Sequence, residues 1–116
     1  MKLIIAGSRT LKVTPEEIMQ YCTDFNIQPS IIISGHARGI DACGEDFAHF
    51  RGLSLHGFPA NWGKYGKIAG IKRNKQMASF GDALLLIWDG KSTGSANMKK
   101  EMIDLGKKVY EIIIVS

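Results

Sequence analysis

Ala83-Leu84-Leu85-Leu86-Ile87-Trp88 runs directly into Asp89-Gly90-Lys91-Ser92-Thr93-Gly94-Ser95. Six apolar residues in succession, with no polar residue at alternate positions, predict a strand covered on both faces, as in a parallel sheet held between helices. The Gly- and Ser-rich stretch that follows predicts a turn at its carboxyl end. Met1 to Ala6 repeats the pattern and runs into Gly7-Ser8-Arg9-Thr10, and Ile31 to Ile33 runs into Ser34-Gly35.

The segments between these runs carry helical periodicity. Thr14-Pro15-Glu16-Glu17 combines an N-cap residue, Pro at the first helical position and Glu three residues after the cap, and Ile18, Tyr21, Cys22 and Phe25 continue it as one apolar face. Ile40, Cys43, Phe47 and Phe50 mark a second helix. A weaker strand is predicted over Leu53 to Phe58, a loop over Pro59 to Gly66, and a helix over Ile68 to Phe80. A helix from Ser95 to Leu105, ended by Gly106, and a strand from Val109 to Val115 complete the chain. This alternation predicts an α/β fold, a three-layer Rossmann-like sandwich whose five-stranded parallel sheet is flanked by helices, with residues 1–116 forming one domain.

The composition agrees, with 116 residues, 45% of them hydrophobic and 22% charged. A domain of this size buries enough core to need neither disulfide nor structural metal. No apolar run approaches the ~20 residues of a membrane span, and the first residues lack a signal-peptide pattern, so a cytoplasmic protein without membrane association is expected. Cys22 and Cys43 fall on the apolar faces of two helices, without CxxC spacing, and are expected to be buried thiols. The net charge is +4, yet Phe47 to Gly81 contains no Asp or Glu and the cations Arg51, Lys64, Lys67, Lys72, Arg73 and Lys75. This segment suits a phosphate-bearing partner, a solvated helix face being the competing reading.

In sheets of this kind ligands bind beyond the carboxyl ends of the strands. Three such ends carry Gly, hydroxyl side chains and a cation: Gly7-Ser8-Arg9-Thr10, then Ser34-Gly35-His36-Ala37-Arg38-Gly39-Ile40-Asp41, then Asp89-Gly90-Lys91-Ser92-Thr93-Gly94-Ser95. Glycine admits close approach of a ligand to backbone, and helix-initial N–H groups favour anions. Converging on one sheet edge, these loops describe an anion site. Neither a Walker A sequence nor G-x-G-x-x-G is present, since Gly7-Ser8-Arg9 lacks the second glycine, so an ordinary NTPase or dinucleotide dehydrogenase is disfavoured.

Gly7-Ser8-Arg9, Ser34-Gly35-x-Ala37-Arg38-Gly39-Ile40-Asp41, Arg73-Asn74 and Ser92-x-Gly94-Ser95, in that order, resemble the SLOG superfamily, which groups DprA-type DNA-processing proteins with LOG-type phosphoribohydrolases. Pro59-Ala60-x-Trp62-x-x-Tyr65-Gly66, Ala69-Gly70-x-x-Arg73-Asn74-x-x-Met77 and Trp88-Asp89-Gly90-x-Ser92-x-Gly94 are most similar to its short single-domain YspA group, related to YpsA. The resemblance runs almost end to end. It implies a Rossmannoid domain that binds a nucleotide or nucleotide-derived ligand related to NAD or ADP-ribose.

Within this frame Arg9 and Arg38 are candidates to clamp a phosphate. Asp41 and Glu45 lie four apart near a helix start, placed either to meet ribose hydroxyls or polarise a water, or simply to complement the helix dipole. Arg73 is a candidate for a phosphate or carboxylate, with Asn74 beside it, whereas Lys72 and Lys75 are expected to face solvent. Trp62 and Tyr65 form either an aromatic lid for a base or a hydrophobic plug. His36 is a candidate ligand contact, and His49 and His56 are expected to be surface or packing residues without a metal role. A Mg²⁺ ion is expected only as the companion of a bound nucleotide.

Two further functions compete with binding alone. LOG-type hydrolysis of the N-glycosidic bond is implied by Arg73, which matches that family's arginine, with Asp41 or Glu45 as candidate acids. However, the family's glutamate, three residues after Gly-Thr, is replaced here by Met98 in Gly94-Ser95-Ala96-Asn97-Met98. DprA-like binding of single-stranded DNA is implied by Ser34 to Asp41 and Arg73-Asn74, and the acid-free segment with Trp62 and Tyr65 offers a basic groove with stacking aromatics. Relatives in the superfamily commonly pair, and the apolar last strand is a candidate for contact with a second copy.

Overall fold

The structure, a computed structural model, describes residues 1–115. Its centre is the run that opens the sequence argument: β4 (Ala83–Trp88) is buried along its whole length. β1 (Lys2–Gly7) lies on one side of it and β5 (Lys108–Ile113) on the other, with β2 (Ile31–Ser34) next to β1 and β3 (Ser54–Gly57) at the far edge. All pairings are parallel and the order is β3-β2-β1-β4-β5.

Alternate residues of the central strands feed two separate cores, which is why these strands read as apolar at every position. Leu3, Ile5, Ile32, Leu85 and Ile87 pack against Ile18 and Cys22 of α1 (Pro15–Asp24) and Ile40, Cys43 and Phe47 of α2 (Ile40–Arg51). Ile4, Ala6, Ile33, Leu84, Leu86 and Trp88 pack against Met77 of α4 (Ala69–Phe80) and Met98 and Met102 of α5 (Thr93–Asp104). Each fully buried Leu or Ile contributes roughly 1.5–3 kcal/mol of transfer free energy. The result is a three-layer Rossmann-like α/β sandwich. No helix of the described residues is long and apolar enough to cross a membrane, and both cysteines are buried and free.

Local chemistry sets the element ends. Thr14 Oγ1 accepts the Glu17 N–H and Glu17 Oε1 accepts the Thr14 N–H, each at 3.1 Å, closing the capping box of α1. Lys107 Nζ donates to the carbonyls of Ala78, Ser79 and Gly81 and so ties off the end of α4.

The loop expected over Pro59 to Gly66 contains a helical turn, α3 (Trp62–Tyr65), because the Asn61 side chain accepts the Lys64 N–H and serves as its cap. A 3₁₀ turn at Gly66–Ile68 then leads into α4, which begins one residue later than expected. Helix α5 begins two residues earlier, since Ser92 rather than a later residue caps it. The outer strands β3 and β5 are shorter than their apolar runs, pairing on one side only.

Candidate functional site

The chain leaves β1 toward β2 and β3 on one side, then returns across the sheet to β4 and β5 on the other. The reversal lies between β1 and β4, and a crevice at their carboxyl ends is where such folds bind ligands. The loops after β1 and β4 meet at this edge, where Ser8 Oγ accepts the Asp89 N–H, and the loop after β2 is their neighbour.

The β1 loop is fixed to the others by its backbone. Ser8, 1% exposed, donates its N–H to Ile87 O at 3.2 Å, accepts the Ile40 N–H on its carbonyl at 3.2 Å, and accepts the Asp89 N–H on Oγ at 3.1 Å. Ser8, expected among the ligand contacts, is therefore consumed in joining β1, α2 and the β4 loop. Two glycines make this approach possible: a Cβ on Gly7 would fall 1.7 Å from Ile87 O, and one on Gly39, at φ +75°, would fall 2.4 Å from Ser8 O. Arg9 remains exposed, its guanidinium 5.9 Å from the Trp62 ring.

The β2 loop is held from α4. Arg73, only 8% exposed, donates from Nη1 to the Gly35 carbonyl at 2.6 Å and from Nε to Asn74 Oδ1 at 3.1 Å. Asn74 Nδ2 continues the chain to Asn97 Oδ1 at 2.9 Å and Gly94 O at 3.3 Å, joining α4 to the start of α5. Gly35 sits between the Arg73 guanidinium and Asp41 Oδ2, at 2.7 and 2.8 Å from where a Cβ would stand.

Asp41, although acidic and four residues from Glu45, turns inward and is 5% exposed. Burial pushes its carboxyl above the usual range, against the opposing pull of Arg73 and of the Ala37 and Gly7 N–H groups. Arg73 in turn is drawn down by burial, with Asp41 opposing and Arg9 assisting. No carboxylate oxygen of the described residues lies within 4.0 Å of the Arg73 guanidinium.

Glu45 faces elsewhere. Its Oε2 accepts Ser34 Oγ at 2.7 Å and stands 2.8 Å from His36 Nδ1. Arg38, next to Gly39 at the start of α2, is exposed and has no side-chain partner among the described residues. In the β4 loop, Asp89 Oδ1 accepts the N–H groups of Lys91 and Ser92 at 2.8 and 2.9 Å, which holds its carboxyl below the ordinary range. Gly90 turns the chain at φ 80°. Ser92 Oγ caps Ser95 N, Ser95 is buried, and Lys91, Thr93 and Gly94 are exposed.

Trp62 and Tyr65 are exposed on α3, Trp62 close to Gly70 and Tyr65 beneath Lys72 at 4.7 Å and Lys64 at 5.1 Å. The acid-free segment is thus less of a single patch than its composition implies. Arg51 ends α2, which runs against the strands and carries it to their amino ends, into a cleft of about 480 Å³ shared with Cys22, Thr23, Asn26 and Gln28. Lys75 pairs with Glu101 at 3.3 Å. His56 stacks on Phe58 and Phe80, a packing role.

Sequence reasoning placed Ser34 in the β2 loop without giving it a role, and missed Gly57 and Asn97, whose contacts with His36 and Asn74 join residues distant in sequence. Met98, at the position where the resemblance would have a glutamate, is buried against β4 rather than directed to the crevice. Among the described residues no three His, Cys, Asp or Glu side chains cluster to hold a metal.

Fold and site together define a Rossmann-like α/β domain with Arg9, Arg38 and Arg73 at the carboxyl edge of its sheet. No family model, curated protein or solved structure matches the chain.

Proposed function

We propose that the protein binds a small phosphorylated nucleotide or nucleotide-derived molecule, of the NAD or ADP-ribose class, in the crevice beyond β1 and β4, as a sensing, sequestering or processing module. The observation that carries this reading is Arg73: a buried guanidinium with no carboxylate of the described residues within 4.0 Å, offset only by Asp41 on the other side of Gly35, offers positive charge at the sheet edge to a bound phosphate. The exposed Arg9, Arg38 and Lys91 add to that field. Trp62 and Tyr65 supply flat apolar faces for a base. The SLOG-like sequence pattern supports the same ligand class.

Thermal melts across NAD, ADP-ribose, AMP, GTP and cyclic nucleotides test it. At least one is expected to raise the melting temperature, and Arg38→Ala to abolish the rise; unchanged melts across the panel would defeat the reading. Single-stranded DNA is the weaker alternative, because Arg51 and Lys75 are withdrawn from the basic surface.

A further inference from the structure

His36 occupies the left-handed backbone region at φ 59°, a conformation that disfavours any residue with a Cβ. Its imidazole is held from two elements. Nδ1 stands 2.8 Å from Glu45 Oε2 on α2, and that same oxygen accepts Ser34 Oγ from the end of β2 at 2.7 Å. Ser34 Oγ also accepts the His36 N–H at 3.1 Å, so backbone and side chain are located by one hydroxyl. The carboxylate makes Nδ1 the donor and leaves Nε2 as the ring's free lone pair.

Nε2 lies over Gly57, at the end of β3, where a Cβ would come within 1.8 Å of it. It has no hydrogen-bond partner among the described residues, and the side chain is 42% exposed. An imidazole oriented by a carboxylate, on a partly exposed side chain whose Nε2 has no hydrogen-bond partner among the described residues, has the arrangement of a general base. Its surroundings select the electrophile. Gly35, the preceding residue, carries the Arg73 guanidinium on its carbonyl, and Arg38 follows two residues later. Phosphate oxygens gather at those cations, which puts phosphorus against the same loop that carries His36.

We infer that His36 is the general base of a phosphoester hydrolase, with nucleoside cyclic phosphodiesters and phosphomonoesters as the substrate class, an inference that rests on the nucleotide-binding reading above. A water gives its proton to His36 Nε2 as its oxygen bonds to phosphorus. The bond from phosphorus to a ribose oxygen breaks with its electron pair on that oxygen, which takes the proton back from the imidazolium. One water is consumed and no redox partner is required. Glu45 is a positioning residue that orients the ring and stabilises its cation, and Ser34 positions Glu45.

The full chain incubated with 2′,3′- and 3′,5′-cyclic nucleotides and with nucleoside monophosphates in ¹⁸O-water is expected to place one ¹⁸O on phosphorus, read by ³¹P NMR. His36→Asn keeps a side chain tolerated in the left-handed region. It is expected to slow turnover by about 100-fold or more, with nucleotide affinity within about twofold and partial rescue by added imidazole. Glu45→Gln is expected to lower kcat by about tenfold with KM unchanged. Calorimetric binding without turnover, equal turnover by His36→Asn, or ¹⁸O on the sugar with release of free base would each overturn the inference while leaving the binding site intact. Absence of binding across the panel would remove the binding reading and this inference together.

Discussion

Arg73 Nη1 donates to the carbonyl oxygen of Gly35 across 2.6 Å, although 38 residues separate them in the chain. Through that bond a helix on one face of the sheet sets the loop that starts the helix on the other. Both Gly35 and Arg73 are buried, so the bond is formed away from water and the guanidinium keeps its charge with few competing partners. Arg73→Met removes the charge and the donor while keeping an unbranched apolar stem. Affinity for the stabilising nucleotide is predicted to fall at least about tenfold, near 1.4 kcal/mol, by calorimetry; an unchanged Kd would show that the ligand does not use this charge.

Gly57→Ala puts a methyl group where His36 Nε2 now lies. The imidazole must swing away from Glu45, so the variant is predicted to fold with a loss of roughly 1–3 kcal/mol and a large change in the His36 ring resonances. An unperturbed His36 spectrum would mean that the ring packs elsewhere in solution.

Met98→Glu places the acid of the LOG-like pattern where this chain has Met98, which is 1% exposed. Because the side chain enters the core against β4, the substitution buries a carboxylate, and denaturant unfolding should show a loss of about 3 kcal/mol or more without gain of N-glycosidic cleavage. A stable, active variant would contradict the placement of this face of α5.

Asp41 gives a pH dependence of defined sign. Its folded carboxyl is raised above 3.8, chiefly by burial, so the folded state holds the proton more tightly than the unfolded state. Its contribution to stability is therefore full below that value and is lost as pH rises through the raised one. Relative to the parent, Asp41→Asn is predicted to gain stability as pH rises above about 4, measured by chemical denaturation at fixed pH. A difference that stays constant over this range would contradict the sign.

The sequence alone was sufficient for the sheet. Ala83 to Trp88, Leu3 to Ala6 and Ile31 to Ile33 are apolar at consecutive positions because helices cover both faces, and period and burial are written in the residues themselves. The Thr14–Glu17 capping box and the stop at Gly106 were legible for the same reason: their partners lie within a turn. The three Gly-rich strand ends were also legible, as loops that share a sheet edge.

Which side chains in those loops face a ligand depended on contacts between residues far apart in the chain. Ser8 and Ser95 are turned into the frame, Asp41 and Glu45 part company to Arg73 and His36, and Arg51 is carried to the opposite end of the sheet by the direction of α2. Arg73 becomes a buried guanidinium on the Gly35 carbonyl only once α4 is laid beside the β2 loop. Local propensity fixes where a chain turns, because turn energies are summed over neighbours. Charge pairing and side-chain direction are set by the neighbours that parallel crossovers bring together, and those are known only after the chain has folded.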